Sequence, residues 1–127
     1  MVLGKKTTSN QNFFIEHNKE KIQKRRDHIL SLPSLVPVSL NDFQLLQMDT
    51  HIQFDAKKLN MQNLIEKQDI KEKLDAILII TYNKCYPLSK MYLIIQSVKE
   101  MLHSNINMIF GNYIDEKLNF PKVDIFL

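Results

Sequence analysis

The sequence predicts an α/β (α+β) fold: a two-layer mixed sheet of about four strands packed with two helices and preceded by an N-terminal helix. Three segments carry this reading. Ala76–Tyr82, AILIITY, is short, β-branched and apolar at nearly every position, as a central strand covered on both faces should be. Leu88–His103 places Met91, Ile94, Ile95, Val98, Met101 and Leu102 at i, i+3, i+4 and i+7 spacing, the apolar stripe of an amphipathic helix. In the last quarter, NINMIFGNYIDEKLNFPKVDIFL, Ile106, Met108 and Phe110 alternate with more polar residues, and so do Val123, Ile125 and Leu127, the period-2 pattern of half-buried strands.

The remaining elements follow in chain order. Residues 1–11 read as a flexible polar tail. Residues 12–32 read as a helix, with Phe14, Ile15, Ile22, Ile29 and Leu30 near one stripe around the polar stretch KEKIQKRRDH. Residues 33–48 form a linker and loop, because Pro33 and Pro37 end the helix and force LPSLVPVSL to extend. Asn41 and Asp42 suit a turn or a helix N-cap, and Phe43–Met48 one or two helical turns. Residues 49–127 complete the α/β sandwich. Thr50–Phe54 alternates as a strand, and Ala56–Leu74 reads as helix on Leu59, Leu64 and Ile65. Asn83–Pro87 is a loop, and Ser89 is a suitable cap for the helix that follows. The strand–helix–strand unit from Ala76 to Phe110 calls for two parallel strands and a right-handed crossover. GNYIDEKLNFP is a polar connector too long for a tight hairpin. Residues 12–127 are most simply one domain.

At 127 residues, 44% hydrophobic and 24% charged, the chain can bury a core without disulfides or metals. A net charge of +3 permits an acidic partner without requiring nucleic acid. The single cysteine, Cys85, excludes an internal disulfide framework. MVLGKKTTSN lacks the apolar core of a signal peptide, and the apolar run Ala76–Ile80 is far shorter than the roughly 20 residues of a membrane span. A cytoplasmic location with no membrane span is expected.

The chemistry-bearing residues are sparse. His17, His28, His51 and His103 show no metal-ligand spacing, either among themselves or around Cys85. With only Gly4 and Gly111, no glycine-rich phosphate loop can be assembled, so neither cofactor nor metal is expected. Lys19, Lys21, Lys24, Arg25 and Arg26 form the strongest electrostatic feature. Glu16, Glu20 and Asp27 interleave with them, as on a solvated helix face. An enzymatic alternative is a pocket near Asn83, Cys85 and Gly111, at the C-terminal ends of the strands.

The segment DAILIITYNKCYPL, SKMYLIIQSVKEML, NINMIFGNYIDEKL, KVDIFL resembles the C-terminal half of the bacterial tubulin-like division protein FtsZ. Ile109–Phe110–Gly111 with Ile114–Asp115 is the most specific part. A second likeness lies in SLVPVSLNDFQLL, where Asp42–Phe43 match the D-F of the family's N-x-D-F-A-D loop and Leu45 replaces its second acidic residue. In the family, the acidic residues of this loop are inserted against the nucleotide of the next subunit. The nucleotide-binding half is absent from this chain.

The resemblance implies a stand-alone, non-catalytic interaction domain that supplies at most Asp42, with Asn41, in trans to a filament-forming GTPase in cell division. Self-association is the other protein partnership. Candidate contact residues are Asp42, Phe43, Lys24, Arg25 and Arg26. Nucleic-acid binding through Lys19–Arg26 and a small enzyme near Cys85 are the alternatives.

Overall fold

The computed structural model describes residues 13–56, 70, 72–102 and 105–127. In chain order its elements are β1 (Phe13–Glu16), α1 (Lys19–Leu30), β2 (Ser34–Val36), a 3-10 helix (Leu40–Leu45), β3 (His51–Asp55), β4 (Asp75–Tyr82), α2 (Leu88–Met101), β5 (Asn107–Ile114) and β6 (Lys122–Phe126). The strands form one six-stranded mixed sheet in the order β1-β3-β6-β4-β5-β2. Only β4 and β5 run parallel, with Asp75 opposite Asn107 and Tyr82 opposite Ile114, as the strand–helix–strand reading requires. The other pairings are antiparallel.

The mixed α/β class holds, and the sheet carries six strands where the periodic signal marked about four. The extra strands are the edges, β1 and β2. Residues Phe14 and Ile15, expected in the first helix, lie in β1, with Phe14 opposite Gln53 and Ile15 opposite Ile52. The helix begins later because Asn18 caps it, its side chain accepting a hydrogen bond from the Lys21 amide at 3.1 Å. β2 is the extended segment that Pro33 and Pro37 enforce, and it pairs with β5 through an irregular register.

Both faces of the sheet are covered, so α1 joins as a third layer. On one face, β4 presents Ala76, Leu78, Ile80 and Tyr82, and these cluster with Met91, Ile94, Val98 and Met101 of α2. On the other, Ile77 and Ile79 meet Ile22 and Ile29 of α1 and Phe43 of the 3-10 helix. Each fully buried Ile, Leu or Val among these contributes about 1.5–3 kcal/mol relative to exposure. The N-cap of α2 is Pro87 and makes no side-chain bond, so Ser89 does not serve as the cap. β5 continues through Ile114, leaving residues 115–121 as the connector. Most of the expected helix 56–74, the tail 1–11 and His103 lie outside the described residues.

Candidate functional site

The 3-10 helix holds the loop singled out by sequence. Ser39 and Asp42 form a capping box: the Asp42 carboxylate accepts from the Ser39 amide at 2.9 Å, and the Ser39 hydroxyl accepts from the Asn41 amide at 3.1 Å. Asn41 is exposed and Asp42 half-buried, so the carboxylate sits at the surface on a turn already ordered. Leu45 is 61% exposed beside it. Phe43 is different. At 2% exposure it anchors the turn in the core, its ring edge-on to Phe126 at 5.3 Å, and it cannot itself contact a partner.

The basic helix divides in the same way. Lys19, Lys21 and Lys24 are exposed. Arg26 turns back over the Phe43 ring, 5.8 Å from its centroid, and pairs with Asp27 at 2.9 Å. Arg25 points into the fold and grips Asp124, with Nε to Oδ1 at 3.1 Å and Nη2 to Oδ2 at 3.0 Å. Its expected role as a partner contact is therefore replaced by an internal ion pair. The physical reason is that a fully buried carboxylate needs a charge partner inside the fold, and the Arg25 guanidinium reaches it from α1.

Asp124 is the one fully buried charge among the described residues. Besides the Arg25 fork, its Oδ1 lies 2.7 Å from His51 Nε2 and accepts from Gln53 Nε2 at 2.8 Å. Its neighbours Val123 and Ile125 face α2, so strand alternation turns Asp124 toward α1 together with His51 and Gln53 of β3. The His51 ring stacks on Phe126 at 4.5 Å. Burial pushes the Asp124 carboxyl upward, but the hydrogen bonds from His51 and Arg25, with the charge of Arg25, hold it below the ordinary value. Asp124 and His51 are 0% and 3% exposed, so no substrate reaches this carboxylate–imidazole pair. What it does is lock α1 onto the sheet. Nothing in the local sequence KVDIF marks this site, because its partners lie 99, 73 and 71 positions away.

The residues of the FtsZ-like signature have structural explanations. A Cβ on Gly111 would lie 2.3 Å from Val38 Cγ2, so glycine is required for the close approach of the 37–39 segment. Tyr113 fastens that segment, its hydroxyl accepting from the Val38 amide at 2.9 Å. Asp115 ends β5: its amide donates to the Tyr82 carbonyl at 3.0 Å and its carboxylate accepts from the Lys117 amide at 3.0 Å.

The proposed enzymatic trio is not assembled. Gly111 pairs with Ile79 in mid-strand, while Cys85 lies past the end of β4 as an exposed free thiol. Among the described residues no cluster of His, Cys, Asp or Glu could hold a metal. Nor is any helix among them long and apolar enough to cross a membrane.

The fold is similar to that of a solved FtsZ structure. Among solved structures, an empty FtsZ dimer of M. jannaschii superposes with a TM-score of 0.56 and 18% sequence identity, over 83% of this chain and 35% of that one. The chain thus spans about a third of that protein's length, and the likeness is one of fold. No protein-family model and no curated protein matches the sequence.

Proposed function

We propose that this chain is a non-catalytic interaction domain, corresponding to the C-terminal half of FtsZ, that docks on a filament-forming GTPase in the cytoplasm and modulates its assembly in cell division. The observation that carries this reading is the Asp42 turn on an FtsZ-like fold: a surface carboxylate held by a capping box, with its phenylalanine neighbour buried as an anchor. The sequence of β4, α2, parallel β5 and antiparallel β6 supports the correspondence to the C-terminal half. A preformed turn lowers the ordering cost of docking.

The test is light scattering and sedimentation of an FtsZ-type GTPase from the same cells, with and without equimolar protein. Wild type shifts the extent of assembly. Asp42→Asn, which keeps the capping acceptor and removes the charge, loses that effect while retaining the wild-type melting temperature. Unchanged assembly, or equal action of wild type and Asp42→Asn, overturns the proposal.

Exposure of Lys19, Lys21 and Lys24 favours nucleic acid as the second reading. Fluorescence anisotropy with duplex and single-stranded oligonucleotides separates the two, since phosphate contacts weaken steeply with salt. Absence of binding at low salt eliminates it.

A further inference from the structure

The α2 face of the sheet is not closed evenly. Met91, Ile94, Val98 and Met101 seal α2 against the central strands. A second stripe, Tyr92, Ile95 and Lys99 of α2 with Leu102 just past its end, faces a groove whose other wall is Met108 and Phe110 of β5. The groove is half open to solvent and offers about 570 Å³, within the range of roughly 300–1,000 Å³ typical of small-molecule sites. From Tyr92 to Lys99 it runs about 10 Å along the helix. Its lining is apolar except at Lys99 and the Tyr92 hydroxyl, and Lys99 forms no ion pair among the described residues.

We infer that this groove binds a small amphipathic anion: an apolar chain or ring system bearing one acidic head group, with the apolar body against Ile95, Met108 and Phe110 and the acid at Lys99. The charge of Lys99 selects an acidic head group for this occupant. A second copy of the chain paired about a twofold axis would bring its own Lys99 to the groove, setting like charge against like. Lys99 can lay its methylene stem along the apolar wall and keep its ammonium at the rim, where a carboxylate meets it without full desolvation. This inference rests on a different surface from the Asp42 turn and stands or falls separately from the docking proposal.

Isothermal titration of the full chain with dodecanoate, below its micellar concentration, tests it. Saturable one-to-one binding is expected, with dodecyltrimethylammonium at least tenfold weaker. Lys99→Met, at an exposed position, raises the Kd about tenfold. Tyr92→Asp, also exposed, places a carboxylate in the lining and abolishes binding, while both variants keep the wild-type melting temperature. Equal affinity for the two surfactants overturns the inference, as does a Kd unchanged in Lys99→Met. An acidic 14-residue amphipathic peptide that displaces dodecanoate and binds tenfold more tightly would reassign the groove to a protein helix and overturn it too.

Discussion

The two faces of the sheet solve the same packing problem with different chemistry. Toward α2, β3, β4 and β6 present an apolar wall of Ile52, Phe54, Leu78, Ile80, Val123 and Ile125. Toward α1, the same strands present Ile77, Ile79 and Phe126 interrupted by His51, Gln53 and Asp124. Among the described residues the first face holds its helix by apolar area, which is strong but does not dictate position. The second holds α1 through a bidentate ion pair whose geometry fixes the angle and height of the helix over the sheet. That matters for the candidate site: Arg25 is held by Asp124, while the adjacent Arg26 lies over Phe43, whose turn carries Asp42. The polar face thus places the basic helix and the acidic turn relative to each other.

The largest test of this contrast is Asp124→Ala. It leaves Arg25 and His51 without their acceptor inside the fold, and breaking a buried pair in this way costs about 3–5 kcal/mol. Denaturant unfolding followed by circular dichroism measures it. A loss below about 1 kcal/mol would mean that α1 is held by its apolar residues, as α2 is. Gly111→Ala comes next. The added methyl collides with Val38, and overpacking of this kind costs about 1–3 kcal/mol. Combining it with Val38→Ala recovers part of the loss if the close approach is the cause. Ile80→Val on the apolar face removes one methylene and costs about 0.5–1.5 kcal/mol.

Acid unfolding sharpens the comparison further. The Asp124 carboxyl is held below its unfolded value of about 3.8. Its stabilising contribution is therefore complete above that pH and is lost as pH falls through the lower folded value. A melting temperature followed from pH 7 to pH 2 should drop in the acid range for the wild type. Asp124→Asn should lack that component, whereas Ile80→Val should retain it in full.

The apolar face was legible in the sequence because its signals are local. AILIITY and the Met91–Leu102 stripe carry their periodicity within one segment, and both elements appear as expected, Asp75–Tyr82 and Leu88–Met101. The first helix was misplaced at its start because Phe14 and Ile15 fit a helical stripe as well as a short strand. Pairing with Gln53 and Ile52, far along the chain, decided between them. The candidate site was legible only in part. Asp42 was singled out from Asn41–Asp42–Phe43, but the same motif gave no sign that Phe43 faces inward while Asp42 stays at the surface.

The amino-acid order alone determined the α/β class, the parallel β4–β5 pair with its crossover helix, and the extended backbone between Pro33 and Pro37, since each follows from side-chain period or ring constraint within a few residues. Only the tertiary structure decided that α1 covers the second face, that Arg25 turns inward while Lys24 stays outside, and that a charge sits at the centre of KVDIF. A buried carboxylate is tolerable only where donors from distant segments converge on it, and that convergence is a property of the folded chain.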